Sequence, residues 1–270
     1  MAKNNTKEKS KGDSAELITN VKAQNFDVSK FRLDPVEEKD TDKYQYMTYP
    51  RYLYPKKTKS TDKVYTGERL VVVTSPIKIS QGGLPKVDGT FRKTENDCLY
   101  FWLPLMDNDD GAQELVKSVL APLDLFLDQT INKDGNKDLV QKVKNGKTVK
   151  YKDLRYLKLV KMFIPGQNDN DDSDDDDASD SKNDKLKDSK KQQPYSRIKV
   201  RLATVYNGDA LPTAPKKIKT RVHINDDNGN AKEDPEPVET MEDLRKLFTW
   251  NCTAQFALEF NKFWIMKATE

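Results

Sequence analysis

The chain has 270 residues, 35% apolar and 34% charged, a balance that leans polar for a compact globule and predicts a modest core beside looped or disordered segments. Its net charge of +3 hides an asymmetry: positions 167–180 hold eight aspartates and no Lys or Arg, so setting those eight negative charges aside leaves +11. No apolar run approaches the ~20 residues of a membrane span and the first residues lack a secretory apolar stretch, so a soluble intracellular protein with no membrane partner is expected.

Residues 1–40 are polar and without sustained periodicity, and predict a disordered arm with a short helix near 15–21. The stretch 44–54 holds Tyr44, Tyr46, Tyr49, Tyr52 and Tyr54, with Arg51, Lys56 and Lys57 beside them; Pro50 and Pro55 argue against a long helix. Residues 69–79 (RLVVVTSPIKI) are β-branched and apolar and predict a buried strand bent at Pro76. Gly82-Gly83-Leu84-Pro85 predicts a turn, and 99–105 (LYFWLPL) a second strand. Asp107 to Asp110 open a helix carrying Leu115, Val116, Val119, Leu120, Leu123 and Leu127, which Pro122 is expected to kink or break. Residues 151–164 fit helix or strand equally.

Residues 166–194 read as an acidic, disordered linker. It separates the two parts, 41–165 and 195–270, of one α+β, β-rich domain. Beyond it, 197–202 (RIKVRL) and 217–224 (KIKTRVHI) alternate strictly. Period two puts Ile198, Val200 and Leu202 on one face and Arg197, Lys199 and Arg201 on the other; Lys217, Lys219, Arg221 and His223 repeat the pattern. Thr240 and Asp243 have capping-box spacing ahead of a short helix bearing Leu244, Leu247 and Phe248. Residues 252–267 read as a hairpin turning at Asn261-Lys262, with Ala254, Phe256, Leu258 and Phe260 alternating along its first strand.

Enzyme and metal signatures fail on inspection. Two cysteines, Cys98 and Cys252, and one histidine, His223, are too few for a four-ligand zinc site of nitrogen and sulfur donors, and make no disulfide framework. Gly146-Lys147-Thr148 resembles the end of a phosphate loop, but Gln141 stands where its first glycine belongs. Asp107 to Gly111 resembles a calcium loop, but its glycine comes a residue early and Ser118 replaces the bidentate glutamate. No carboxylate spacing singles out a two-metal nuclease. The expectation is a protein with no catalytic residues, no metal and no cofactor.

The basic strand faces carry the positive signal. If the two alternating strands are neighbours, about six cations share one face, and such a patch binds phosphate by releasing counterions. Single-strand binding also requires rings on which bases stack. Tyr44, Tyr46, Tyr49, Tyr52, Tyr54, Phe91, Tyr100, Trp102 and Trp264 are candidates, with Arg92 and Lys93 among them. The aspartate run has three readings: a solvated linker, an intramolecular mimic of nucleic acid that shields the basic face, or a docking segment for basic partners.

Three stretches carry a family resemblance. The first is Val71 to Ile79 with Gly83-Leu84-Pro85-Lys86, Arg92 and Leu103-Pro104-Leu105. The second is Tyr195 to Leu202 followed by Ile218 to Val222. The third is Cys252 to Lys267, with Lys262 and Trp264 near its end. In this order they resemble the OB-fold single-stranded-DNA-binding proteins of large eukaryotic DNA viruses, which are distantly similar to phage replication single-strand-binding proteins. The resemblance implies an OB-like barrel with one or two helices, no catalysis, and a partner that is single-stranded DNA, or RNA. It also implies replication proteins as further partners, and a site of action at virus replication in the host cytoplasm or nucleus. The phage-type acidic run is C-terminal, whereas here it is internal. The nucleic-acid-binding set is then Arg197, Lys199, Arg201, Lys217, Lys219, Arg221, Arg92, Lys93, Tyr100, Trp102, Lys262 and Trp264. The alternative is a virion structural or scaffold protein that docks through its tyrosine-rich arm.

Overall fold

A computed structural model describes residues 20–34, 37–38, 45–56, 64–90, 92–132, 141–144, 147–150, 158–164, 193–205, 214, 216–225 and 232–266. The fold is mixed α/β and strand-rich, with one long helix and several small sheets; among the described residues no sheet closes into a barrel. The chain divides into two compact units, each assembled from separated segments: Met1–Val73, Leu125–Tyr156 and Ala257–Glu270 form the first, Thr74–Asp124 and Leu157–Phe256 the second. The aspartate run and most of the expected 166–194 linker lie outside the described residues, as do Tyr44, Phe91 and most of the helix foreseen near 15–21, whose last residue, Val21, begins a strand instead.

The first unit is organised by one long strand, Val64–Val73. Its first half pairs antiparallel with Pro50–Lys56. Its second half pairs antiparallel with Ala257–Phe260 and, at Val72 and Val73, parallel with Val21–Lys22. Phe31–Leu33 extends the sheet beyond Pro50–Lys56. Part of the foreseen disordered arm is therefore structured: Ala23 and Phe31 are fully buried, and Phe31 meets Phe126 edge-on. Two 3-10 turns, Ala23–Asn25 and Val28–Lys30, break up the spacing of its apolar residues, so no single period is visible there.

Tyr52 and Tyr54 also belong to this core rather than to an open arm. The Tyr52 hydroxyl accepts from the Asp27 amide at 3.0 Å and that of Tyr54 from the Val71 amide at 3.0 Å. Burial pushes both phenols above their ordinary pKa. The C-terminal hairpin is not formed. Ala257–Phe260 pairs with the long strand, while Phe263–Met266 pairs with Gln45–Thr48. The alternation was right about facing, since Leu258 is buried while Ala257 and Glu259 are exposed. Period two fixes which face a strand buries, not which strand it pairs with.

The second unit is built on a three-stranded antiparallel sheet. Its central strand is Tyr195–Arg201, flanked by the aromatic strand Tyr100–Leu105 and the edge strand Lys161–Phe163; the edge strand resolves the helix-or-strand ambiguity at 161–163. One face carries Phe101 and Leu103 from the aromatic strand, and Phe101 packs against Phe248 and Phe256, with ring centroids 5.2 and 5.5 Å away. Ile77–Lys78 pairs with Thr253–Ala254.

The long helix starts at Asp109, whose carboxylate accepts from the Ala112 amide at 2.7 Å and the Lys78 amide at 2.8 Å. The calcium-like aspartates are thus a helix cap. Gly111 lies where a Cβ would run into the Pro76 carbonyl oxygen, so this helix turn and the backbone just before Ile77–Lys78 approach closer than any side chain permits. Pro122 does not break the helix. A π-turn over Val116–Leu120 precedes it, with the Ala121 amide bonded five residues back to Val116. This widened turn relieves the clash a proline ring makes with the carbonyl four residues earlier.

A second apolar cluster gathers Cys98, Ile218, Met241 and Leu244. The capping box is present as foreseen: Thr240 Oγ1 accepts from the Asp243 amide, and Asp243 accepts from the Thr240 amide at 3.1 Å, starting the helix Met241–Leu247.

Candidate functional site

The foreseen pair of neighbouring basic strands is not formed. The central strand has the aromatic and edge strands as its neighbours. Residues 217–224 form an extended segment with isolated bridges, Thr204 to Ile218 and Val222 to Glu236. Its backbone divides its hydrogen bonds between two neighbours: the Lys219 amide donates to the Ala203 carbonyl and the Ile218 amide to the Glu239 carbonyl, leaving no continuous ladder. The alternation survives in its facing. Ile218 is buried, while Lys217, Lys219, Arg221 and His223 are exposed. Lys217 is held by Glu239 at 3.1 Å, a fully solvated pair that contributes little.

The sheet gathers the rest of the basic set in an order the sequence did not reveal. In register, Lys199 lies opposite Trp102, Arg201 opposite Tyr100, and Lys161 opposite Arg197. Period two then puts Arg197, Lys199 and Arg201 on the same face as Tyr100, Trp102, Lys161 and Phe163. The side chains interleave. The Arg197 guanidinium lies 3.7 Å from the Trp102 ring centre and 4.5 Å from that of Phe163. The Lys199 ammonium lies 4.3 Å from the centre of Tyr100. Arg92 reaches the Tyr100 hydroxyl at 3.4 Å and grips Asp88 through Nε and Nη2 at 2.8 and 2.7 Å. Burial works against the charge on Arg92, but Asp88 and the Tyr100 hydroxyl outweigh it and hold its pKa above the ordinary value.

Two expectations are corrected here. Arg197 is buried, not solvent-facing, with 4% of its surface exposed. A guanidinium is weakly hydrated and stacks on aromatic planes, so alternation with Ile198 did not force it into water; both faces of this strand are covered at that point. Tyr100 and Trp102 are buried as well, and their rings are met by Lys199 and Arg197 respectively. They offer no open ring for a base. What the face presents outward are the exposed Lys199 and Arg201.

The remaining members of the set lie apart from this face. Lys93 is exposed on the loop before the 3-10 turn Glu95–Cys98. Lys262 is exposed between two strands of the first unit, and Trp264 lies on the strand Phe263–Met266 of that unit. Both cysteines are free thiols, Cys98 buried and Cys252 half-buried, and burial raises both above the usual thiol pKa. No cluster of three or more metal-ligating side chains occurs among the described residues, nor is any described helix long and apolar enough to cross a membrane.

Sequence reasoning missed three participants. Phe163 and Tyr195 close the far end of the stacked row, with ring centres 5.1 Å apart; only the strand register identifies them. Trp250 is the third, and lies on a turn described below. No family model, curated protein or solved structure matches the chain.

Proposed function

We propose that this is a non-enzymatic single-stranded-DNA-binding protein acting in viral DNA replication, recombination or repair, with the cationic face of the Tyr195–Arg201 sheet holding backbone phosphates. One observation carries the reading: Arg197, Lys199, Arg201 and Lys161 are the charged residues that alternate onto one sheet face, with no carboxylate among them. Lys199 and Arg201 are the phosphate contacts; Arg197 stiffens the row from beneath; Arg92, tethered to Asp88, borders it. The resemblance in segment order, which runs from Val71 to Lys267, supports the same reading and implies an OB-like relation for those stretches.

The test is an electrophoretic and anisotropy comparison of single-stranded DNA, double-stranded DNA and RNA across a salt series. Single strands are expected to bind most tightly, with affinity falling as salt rises. Changing Lys199 and Arg201 together to Ser removes two contacts and is expected to flatten the slope by about 1.4, at ~0.7 for each phosphate on a single strand. An unchanged slope, or binding that ignores salt, overturns the assignment of this face.

A further inference from the structure

We infer that Trp250 is a base-stacking platform of the second unit, receiving one base of a single strand whose phosphates run toward Arg92; this rests on the single-strand reading above. Trp250 is 71% exposed, and it is the one exposed Phe, Tyr or Trp ring among the residues whose side chains are described. Four of the rings the sequence favoured are buried. Tyr100 and Trp102 are buried under the protein's own cations, and Tyr52 and Tyr54 are core residues.

The indole is exposed because its backbone holds it out. Thr249 to Cys252 form a turn closed by the Cys252 amide donating to the Thr249 carbonyl at 3.2 Å. Its third residue, Asn251, is left-handed with φ 63°, a conformation asparagine tolerates better than most residues. The turn is tied down: the Asn251 amide donates to the Ile79 carbonyl at 3.0 Å, and the Ile79 amide to the Cys252 carbonyl at 2.8 Å. A large apolar ring on a fixed turn is preorganised for a planar ligand.

Its surroundings select the ligand. Trp250 stands on the shared rim of two open clefts of about 320 and 760 Å³. Gly82 and Gly83 lie on the same rim, where the absence of side chains leaves bare backbone for close approach. The smaller cleft is lined by Arg92 and Arg197 and, among the described residues, by no carboxylate. The larger mixes Lys86, Arg245 and Lys246 with Glu95 and Glu242, and its Arg245 is engaged by Glu95 at 3.0 Å. A polyanion therefore leaves Trp250 through the smaller cleft. Stacking on a ring face is indifferent to base identity, which fits a strand bound without sequence preference.

The experiment compares Trp250→Ala and Trp250→Phe with the unmodified chain. Each is titrated against labelled oligothymidylate and against an abasic strand of equal length. Loss of one stacked base is expected to weaken oligothymidylate binding by Trp250→Ala about 5- to 150-fold. Trp250→Phe retains most of the affinity, the abasic strand binds all three chains alike, and the salt slope does not change. Oligothymidylate binding by Trp250→Ala equal to that of the unmodified chain overturns the inference while leaving the phosphate face standing. An equal loss on the abasic strand also overturns it, because the effect is then not on bases. No binding of either strand by the unmodified chain overturns the single-strand reading itself.

Discussion

Two stretches of this chain read almost alike, Arg197 to Leu202 and Lys217 to Ile224, and the molecule uses them differently. In the first, Arg197 and Lys199 lie across aromatic rings on a sheet face, and Arg197 is buried. In the second, the cations stand in solvent on a segment with isolated bridges, and Ile218 and Val222 rest in the cluster of Cys98, Met241 and Leu244. Alternation of Lys or Arg with Ile or Val states that the two kinds of side chain point opposite ways. It does not state what waits on the cationic side. Where Trp102 and Phe163 wait, a guanidinium becomes part of the packing; where water waits, it remains a surface charge.

The sharpest break of this comparison is Arg197→Ser. Loss of a desolvated cation stacked between two rings, with its packed stem, is expected to lower unfolding free energy by about 2–4 kcal/mol, measured by urea denaturation. Lys217→Ser, Lys219→Ser and Arg221→Ser are expected to stay within about 0.5 kcal/mol each. Equal losses in the two stretches would erase the distinction. Gly82→Ala follows in size. At φ +69° its Cβ would stand 2.7 Å from the Trp102 carbonyl oxygen, beside the paired 2.8 Å hydrogen bonds joining Gly83 to Trp102. The expected cost is about 1–3 kcal/mol, and tryptophan fluorescence should report the displaced indole.

Thr240→Ala addresses the second stretch, because the helix it caps supplies Met241 and Leu244 beneath Ile218. Its expected cost is about 1 kcal/mol. The same cap has a pH signature. Hydrogen bonds from the Thr240 hydroxyl, then from the Glu239 and Thr240 amides, hold the Asp243 carboxyl below its ordinary value. Its contribution is intact above the unfolded carboxyl value of about 3.9 and is lost as pH falls through the lowered one. Thr240→Ala should narrow the stability difference between neutral and acid solution, and a parallel pair of pH curves would contradict this.

What was legible in the sequence follows the same line. Elements set by local chemistry were readable: the Thr240–Asp243 capping box, the helix after Asp109, the strand 99–105, and the facing of Leu258 and Ile218. Elements set by partners were not. Nothing near Asn261 tells the chain that Phe263 leaves for Gln45–Thr48, and nothing near Pro122 announces the π-turn that accommodates it. At the site, the cations and the rings of Tyr100 and Trp102 were named but not their pairing, because the register that places Trp102 opposite Lys199 joins residues far apart in the chain. Trp250 was overlooked although its cue was local, a tryptophan followed by an asparagine just beyond a short helix.

The assembly of the first unit from distant segments has a consequence for how the protein is made. Arg69 and its ion-pair partner Glu259, at 3.0 Å, are 190 residues apart. At a synthesis rate of ~5–20 residues per second, the long strand Val64–Val73 waits roughly 10–40 s for Ala257–Phe260 to be translated. Through that interval one edge of the strand bearing Leu70 and Val72 has no partner along Leu70–Val73, and such an edge is a template for wrong pairing. The order of translation thus makes Ala257–Phe260 the segment that completes a sheet begun by Val64–Val73, and a truncation ahead of Ala257 a lesion of the first unit.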